Sequence, residues 1–324
     1  MIIVTGGAGF IGSALVAELN AQNQNDILIV DRLESDEKWK NLRKLRFADY
    51  VEADDFYDML AAGDIDWPVQ AILHMGACSD TWETDCSYLV RNNYECTKVL
   101  ANWAVEEGIR FIYASSAATY GNGELGFTDD EDTIEDLKPL NMYGYSKQLF
   151  DLWAKRTGVL ENIVGLKYFN VFGPNEYHKG SMRSFIIKAY EQIRDTDQVK
   201  LFKSYHPDYA DGEQRRDFVY IKDAVDMTLF FLANPDVNGL YNVGTGNART
   251  WVDLANAVFA AMDKKPKIEF IDMPDHLREK YQYFTQADMQ KLSHADYKLD
   301  PTSLEDAITD YVQNYLQKDE FLGA

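Results

Sequence analysis

The stretch VTGGAGFIG near the start of the chain constrains the fold more than any other. The apolar run Ile2–Thr5 predicts a strand and the pattern over Ile11–Gln22 predicts a helix, so three glycines occupy the turn between them. Gly6 permits a tight turn, Gly9 lets a pyrophosphate approach the backbone, and Gly12 allows close helix–strand packing. The helix N-terminus offers free N–H groups to phosphate oxygens. The spacing is GxxGxxG rather than GxGxxG, but its setting between a strand and a helix predicts a dinucleotide-binding unit.

The alternation of short apolar strands and amphipathic helices continues to about residue 170. It predicts an α/β fold of the Rossmann type, in which helices cover both faces of a doubly wound parallel sheet. The further predicted strands are Ile27–Asp31, Ala71–His74, Phe111–Ser115 and Ile163–Tyr168, with a long helix over Tyr88–Glu107.

The pattern changes after Pro174. We expect irregular loops there, including Lys203–Gln214, with a helix over Ser184–Arg194 and an amphipathic end over Leu304–Leu316. The chain is predicted to divide into a cofactor-binding domain over residues 1–170 and a smaller α/β domain over residues 171–324 that mainly binds the substrate. We expect the two domains to be partly interleaved, with some later segments returning to the first.

The charge balance limits the classes of partner. The chain has 53 acidic and 32 basic residues, a formal net charge of -21. Nucleic acid and anionic membranes need a positive protein face, so neither is an expected partner, whereas a locally basic pocket can still bind a small anion. No apolar run approaches the roughly 20 residues of a membrane span. The early strand also leaves no room for a signal peptide. Cys78, Cys86 and Cys96 fit neither a metal-binding spacing nor a paired disulfide set, so we expect a cytoplasmic protein without a metal site.

The end of the second predicted strand carries opposing indications about the cofactor. Asp31 is placed to hydrogen-bond the ribose 2'-OH of NAD. Arg32 and Lys38 follow it, and cations there favour the 2'-phosphate of NADP. NADP and NAD both stay open from these residues alone.

Two motifs, ASSAATYG and NMYGYSK, contain the candidate catalytic residues. Ser116 follows the strand Phe111–Ser115, at the end where open parallel sheets bind ligands. Tyr143 and Lys147 are four residues apart and share one face of a helix. We expect the Lys147 ammonium and the charge of an oxidised nicotinamide to lower the phenol pKa of Tyr143 from about 10. A phenolate so formed can take a proton from an alcohol as hydride leaves its carbon.

TGGAGFIG, SSAATYG and YGYSK resemble the extended short-chain dehydrogenase/reductase superfamily. MIIVTGGAGFIGS, HMGACS, YASSAATYG, PLNMYGYSK, FNVFGP, HKGSM and RDFVY resemble one family within it, the ADP-L-glycero-D-manno-heptose 6-epimerases, along nearly the whole chain. The resemblance implies that bound NADP oxidises C6'' of an ADP-linked heptose to a ketone and then returns the hydride to the opposite face. It also implies a product used in the lipopolysaccharide inner core, and a homo-oligomer, with pentamers known in the family.

The resemblance further implies a second acid/base. Because the nicotinamide stays fixed, the keto end of the substrate must turn over, and its oxygen points a different way in each half-reaction. Tyr143, with Ser116 and Lys147 beside it, would then serve one epimer, and Lys179 in YHKGSM the other. The alternative for Lys179 is an exposed loop lysine beside Ser181 as a helix cap.

By the same resemblance, residues on several loops contact the two ligands. The implied cofactor contacts beyond the three glycines are Phe10, Ile11, Asp31, Arg32, Lys38, Met75, Gly76, Ala77, Cys78, Ser79, Asn92, Lys147, Val171 and Lys179. The implied substrate contacts are Ser116, Asn170, Ser181, Lys188, Phe202, Arg216 and Tyr281. A guanidinium at Arg216 suits a diphosphate, which it can bind bidentately, although a surface ion pair is the alternative. The chain departs from the family at Ala53, where a lysine is common, at Lys188, which replaces a histidine, and in a longer loop over Ser204–Gln214.

Competing activities are separated by a few residues. A 4,6-dehydratase would need an Asp–Glu pair after the serine, where this chain has Ala117 and Ala118, so that activity is excluded. A UDP-hexose 4-epimerase shares the chemistry and stays open, although HKGSM disfavours it. A non-catalytic dinucleotide sensor is disfavoured because the candidate catalytic residues are intact. Tyr94 and Lys98 repeat the YxxxK pattern without a serine at a strand end, which indicates coincidence.

Overall fold

The computed structural model describes residues 1–278 and 281–323. Its strands are β1 Ile2–Thr5, β2 Ile27–Asp31, β3 Asp49–Glu52, β4 Ala71–His74, β5 Arg110–Ser116, β6 Val164–Tyr168, β7 Asn170–Phe172, β8 Val199–Phe202, β9 Arg215–Tyr220, β10 Gly239–Val243, β11 Ala248–Thr250 and β12 Ile268–Ile271. Its α-helices are α1 Phe10–Ala21, α2 Ala53–Ala62, α3 Cys86–Leu89, α4 Cys96–Glu106, α5 Met142–Arg156, α6 Phe185–Thr196, α7 Ile221–Ala233, α8 Trp251–Ala261, α9 Asp275–Arg278, α10 Gln290–His294 and α11 Leu304–Asp310.

Short 3₁₀ and π-helical segments complete these elements. The 3₁₀ segments are Lys38–Leu42, Ala117–Tyr120, Glu131–Thr133, Val159–Glu161 and Tyr177–Met182, and the π segments are Val90–Glu95 and Tyr311–Leu316. The helix predicted over Tyr88–Glu107 is thus interrupted by a π segment between α3 and α4. No helix in the two described ranges has the length and apolar character needed to cross a membrane.

Seven parallel strands form the main sheet, in the order β10-β6-β5-β4-β1-β2-β3. This arrangement confirms the predicted Rossmann-type fold. The strand order reverses beside β1, because β2 pairs with one edge of β1 and β4 with the other. Loops leaving β1 and β4 therefore separate and open a crevice at the carboxyl end of the sheet, where such folds bind ligands.

The inner strands agree closely with the sequence prediction because they are buried on both faces. β1, β2 and β4 have the predicted bounds, and every residue in them is buried. The edge strand β3 was missed. Its sequence DYVE is polar and only partly buried, so it lacks the apolar run of its neighbours.

The loops expected after Pro174 alternate with short strands whose positions were not predicted from the sequence. After Pro174, β9 and β11 complete a three-stranded sheet with β7, in the order β11-β9-β7; β8 and β12 form a parallel pair, and β10 joins the main sheet. These strands are short, and β9 includes the charged residues Arg216 and Asp217 among its buried positions, so their sequences show no simple periodicity. The segment Lys203–Gln214 forms a loop, as predicted.

Candidate active site

The glycine loop joins β1 to α1 so tightly that no side chain fits at Gly6 or Gly12. Gly6 has a φ of +64°, and a Cβ there would lie 2.7 Å from the backbone nitrogen of Gly76 after β4. A Cβ on Gly12 would lie 2.1 Å from the carbonyl oxygen of Gly6. α1 begins at Phe10, and its N-cap Gly9 has no side chain to occupy the free N–H groups of the helix. The loop is therefore a bare backbone cradle that fits a pyrophosphate.

The predicted NAD and NADP determinants lie together at the end of β2, where they pair with one another or with acids. Asp31 accepts a hydrogen bond from Lys38 Nζ at 3.1 Å. Arg32 donates from Nε and Nη2 to Oδ1 of Asp54, at 3.2 and 2.6 Å, and from Nη1 to Oδ1 of Asn92 at 3.1 Å. The Asp54 side chain is 78% exposed, so its attraction for Arg32 is weakened by solvent.

The segment Met75–Ser79 after β4 is held in place by Asn93, which is 1% exposed. Asn93 Oδ1 accepts from the Cys78 N–H at 2.8 Å, and its Nδ2 donates to the Cys78 carbonyl at 2.9 Å and to Ser146 Oγ at 3.0 Å. Sequence reasoning named the neighbouring Asn92 and missed Asn93. The repeated asparagine was the only signal, and it could not show which of the two faces inward.

Ser116 and Tyr143 are adjacent because the end of β5 and the start of α5 approach closely. Asn141 caps α5 by accepting from the Gly144 N–H at 2.7 Å. A Cβ on Gly144 would lie 2.7 Å from the carbonyl oxygen of Ala118, so this glycine lets the helix touch the turn after Ser116. The Tyr143 hydroxyl and the Ser116 side chain are hydrogen-bonded to each other.

Lys147 lies one helical turn beyond Tyr143, is 5% exposed and donates from Nζ to the Ala114 carbonyl at 2.8 Å. Burial lowers the pKa of Lys147 to about 8, although the Asp151 carboxylate opposes this. Burial raises the pKa of Tyr143, and the hydrogen bond to Ser116 only reduces that rise. Among the protein groups, desolvation thus outweighs the hydrogen bond to Ser116. The lowering of the phenol pKa expected beside an oxidised nicotinamide stays a prediction.

Lys179 lies in the 3₁₀ segment Tyr177–Met182, which is kinked at Gly180 with a φ of +52°. Its Nζ is 5.6 Å from the centroid of the Phe10 ring, beside the glycine loop. Burial lowers the pKa of Lys179, and the buried carboxylate of Glu176 opposes this. The lysine is therefore partly buried against the predicted cofactor site. Ser181 is exposed and is not the helix cap, because the N-cap of α6 is Ser184.

Arg216 on β9 is a buried guanidinium, 7% exposed. Nη1 donates to its neighbour's carbonyl, Arg215 O, at 2.8 Å, and Nη2 donates to the Gln282 carbonyl. The guanidinium carbon is 5.8 Å from the Trp251 ring centroid and 5.2 Å from that of Tyr281. Within residues 1–278 and 281–323 the side chain forms no ion pair with a carboxylate, in contrast to the surface ion pair considered above. A buried cation with remaining donors suits an anionic ligand.

The other predicted substrate residues lie on or beside α6, β7 and β8. Lys188 on α6 donates to the Ser181 carbonyl at 2.6 Å, and burial lowers the pKa of Lys188. Asn170 and the predicted cofactor contact Val171 lie on β7, where they pair with Phe218 and Val219 of β9. Phe202 ends β8.

Two negative results complete the description of the site. Lys98 Nζ lies 4.6 Å from the Tyr94 ring centroid, a contact inside the π segment and α4 that involves no strand end. No group of three or more His, Cys, Asp or Glu suited to a metal ion occurs in the described part of the chain.

Comparison with known proteins agrees with this geometry. The NAD dependent epimerase/dehydratase family matches residues 2–244. The chain belongs to this family. Among its relatives, the ADP-L-glycero-D-manno-heptose-6-epimerase of Nitratidesulfovibrio vulgaris (strain DP4) is 59% identical over 316 residues, which cover 98% of each chain. The protein of the same name from Fusobacterium nucleatum subsp. nucleatum is 48% identical over 329 residues, covering 99% of each chain.

A solved structure extends the comparison to three dimensions. The Helicobacter pylori ADP-L-glycero-D-manno-heptose-6-epimerase superimposes with a TM-score of 0.79 at 28% identity, over 97% of this chain and 95% of that one. The resemblance found in the motifs is confirmed by these relatives. For this member of the NAD dependent epimerase/dehydratase family, the cofactor is a nicotinamide dinucleotide, and the glycine cradle fits its pyrophosphate.

Proposed function

We propose that the chain is an ADP-L-glycero-D-manno-heptose 6-epimerase. It interconverts ADP-D-glycero-β-D-manno-heptose and ADP-L-glycero-β-D-manno-heptose by epimerisation at C6'' through a transient 6''-ketone, for nucleotide-sugar biosynthesis of the lipopolysaccharide inner core. The observation that carries this proposal is the 59% identity over 98% of both chains to a relative of that name. The arrangement of Ser116, Tyr143, Lys179 and Arg216 supports it.

The chain's own residues hold the ligands and move protons. Bound nicotinamide supplies the acceptance and return of hydride at C6''. Tyr143, hydrogen-bonded to Ser116, exchanges a proton with the sugar oxygen in one orientation. Lys179, which lies beside Phe10 at the glycine loop and has a pKa lowered by burial, serves the other orientation. Lys147 is held at the Ala114 carbonyl, where its ammonium supports the developing phenolate.

The diphosphate of the substrate binds at Arg216. The buried guanidinium has no carboxylate partner in the described ranges and lies between two aromatic rings, so an incoming anion gains a desolvated cation without breaking an ion pair. The other residues proposed to contact the substrate on this side are Asn170, Ser181, Lys188, Phe202 and Tyr281. Most of them lie beyond residue 170, in the segment proposed to form the substrate domain.

NADP is the proposed cofactor. Lys38 lies 3.1 Å from the Asp31 carboxylate and offsets the charge that would repel a 2'-phosphate. The exposed pair of Arg32 with Asp54 is weak enough to open for the phosphate. Ala53 contributes no cation, so Arg32 and Lys38 carry this selectivity. Calorimetric titration of cofactor-free protein with NADP and NAD tests the choice, and tighter binding of NAD would contradict it.

We also propose a cytoplasmic homo-oligomer, with a pentamer as the family precedent. Leu140, Met142 and Tyr145 at the start of α5 are each at least 40% exposed, and such an apolar surface supports an intersubunit contact. Light scattering at several protein concentrations tests this, and a monomer at all of them would contradict it.

The function is tested with purified protein, ADP-D-glycero-β-D-manno-heptose and no added cofactor. Proton NMR follows the C6'' signals toward a mixture of epimers. We expect conversion by the wild type and by the control Lys200→Ala, an exposed lysine on β8, and none by Tyr143→Phe or Lys179→Ala. Conversion that survives in Lys179→Ala would contradict the second acid/base. Absence of conversion after addition of NADP or NAD would contradict the heptose substrate.

A further inference from the structure

Three successive side chains on one face of α5 contact the end of β5. Tyr143, Lys147 and Asp151 follow one another at single-turn spacing on one face of α5. Tyr143 is hydrogen-bonded to Ser116, and Lys147 Nζ donates to the Ala114 carbonyl at 2.8 Å. The third side chain, Asp151, accepts hydrogen bonds at Oδ1 from the Tyr113 hydroxyl and at Oδ2 from the Ser115 hydroxyl, each at 2.8 Å. Every residue from 113 to 116 is thus held by this one helical face.

Asp151 also forms a buried ion pair. Lys167 on β6 donates from Nζ to Asp151 Oδ2 at 2.8 Å, and both side chains are 0% exposed. A buried ion pair is seldom needed for stability, because apolar residues of similar volume commonly replace one without loss. Asp151 lies one helical turn beyond Lys147 on the same face of α5, so the pair is placed to serve a role in the proposed site.

Lys167 also reaches the catalytic serine through one hydroxyl. Its Nζ donates to Thr119 Oγ1 at 2.7 Å, and the Thr119 hydroxyl donates to the Ser116 carbonyl at 2.9 Å. Thr119 is 0% exposed, so no water competes for these bonds. The ammonium of Lys167 therefore connects the backbone of Ser116 to the helical face that carries Tyr143 and Lys147.

We propose that Asp151 and Lys167 are positioning residues, which fix Ser116 against Tyr143 and set the charge felt by Lys147. The proposal rests on the proposed function for its kinetic consequence, but its electrostatic consequence belongs to the folded protein alone. Asp151 supplies the negative charge that keeps Lys147 protonated, and Lys167 limits that effect by neutralising part of it.

The other titratable groups around Lys147 contribute little charge near its ammonium group. Tyr143 shares its helix, and burial raises the pKa of that phenol. His74 on β4 is neutral, because burial and the charge of Lys147 lower the pKa of its imidazole to about 3. Cys78, after β4, is a neutral thiol near pH 7, because burial raises its pKa. The remaining neighbour is the Asp151 carboxylate, which forms the ion pair with Lys167.

The test measures the pKa of Lys147 directly, from the ¹³Cε shift of ¹³C-lysine-labelled protein titrated with pH, with Lys147→Met for assignment. We expect Asp151→Asn to lower this pKa by at least about half a unit and Lys167→Met to raise it, because the two variants remove opposite charges. A purely structural pair would give shifts of the same sign, or none beyond that of the core control Leu19→Ala, and either result would overturn the proposal.

A milder variant separates orientation from charge and covers a failure of Lys167→Met to fold. Thr119→Val removes the link to Ser116 but no charge, so we expect kcat to fall about tenfold or more with KM and the pKa of Lys147 nearly unchanged. Wild-type kcat in Thr119→Val would overturn the orienting role. If the wild type converts no ADP-heptose, the proposed function fails, while the NMR titration of Asp151→Asn still decides the electrostatic claim.

Discussion

Replacing Arg216 with methionine should weaken binding of the diphosphate without destabilising the fold. A guanidinium has five N–H donors, and two carbonyl oxygens, those of Arg215 and Gln282, each accept one of them. Three donors are thus left, and an anion can accept hydrogen bonds from two of them. Hydrogen bonds to charged groups contribute about 1.5–3 kcal/mol each, so losing two costs about 3 kcal/mol or more, roughly a hundredfold in Kd.

Arg216→Met should change the free energy of unfolding much less than it changes the affinity for the diphosphate, or should increase it. Arg216 is buried without a carboxylate in the described ranges, and burial lowers its pKa, so folding desolvates a charge that the apo protein does not neutralise. Arg216→Met removes that cost but leaves two carbonyls without a donor. We expect the free energy of unfolding to stay within about 1 kcal/mol of the wild type or to rise.

Calorimetry with ADP and AMP is the matched assay. The wild type should prefer ADP, Arg216→Met should lose most of that preference, and the control Arg215→Met, an exposed neighbour on the same strand, should keep it. Urea denaturation of all three proteins supplies the stability readout. Equal losses of ADP and AMP binding, or a large loss of stability without any loss of ADP preference, would refute the assignment of Arg216 to the diphosphate.

Three further results are expected. Gly12→Ala should reduce the free energy of unfolding by about 2–3 kcal/mol or more in urea denaturation, because its Cβ would lie 2.1 Å from the Gly6 carbonyl oxygen; wild-type stability would contradict this packing. Asp54→Ala should tighten NADP binding about two- to fivefold in calorimetry and leave NAD unchanged, since it frees Arg32 from an exposed pair; equal changes for both would count against Arg32 as the determinant. Lys147→Met should be more stable than the wild type at pH 7 by up to about 3 kcal/mol, because folding lowers the Lys147 pKa from 10.5 to about 8 and the unfolded state binds the extra proton between these values. That advantage should shrink as pH rises from 8 to 10.5 in denaturant titrations, and a constant gap would argue against the buried cation.

The parts of the fold that could be predicted are those decided by local sequence. β1, β2 and β4 are continuous buried runs, and the glycines after β1 are dictated by contacts closer than a Cβ allows, so both leave a clear mark in the sequence. β3 and β9 were missed because their pairing depends on neighbours rather than on their own apolar character. Strand propensity of this kind is set by context.

In the candidate site, too, the residues in local motifs could be predicted, whereas those that act through contacts with distant residues could not. Ser116 and Tyr143 could be matched to motifs, and the structure places them in contact. Asn93 could not be found, since it acts by bonding Cys78 and Ser146, residues that are distant in the chain. The burial that raises the pKa of Tyr143 could not be found either, because the sequence shows a lysine four residues away but does not show how completely the phenol is buried.

The distribution of charge reconciles an acidic chain with an anionic substrate. The net charge of -21 belongs to the protein as a whole, whereas the proposed site places cations where burial removes the screening effect of water. Arginine and lysine divide the work there. Arg216 cannot lose its proton under physiological conditions, so it can only bind, and it stands at the proposed diphosphate site. Burial lowers the pKa of Lys147 and of Lys179, and for Lys179, the proposed second acid/base, this brings the ammonium group closer to the pH at which a proton can be exchanged. The choice between the two basic residues at each position therefore follows from whether the chemistry needs a fixed charge or a movable proton.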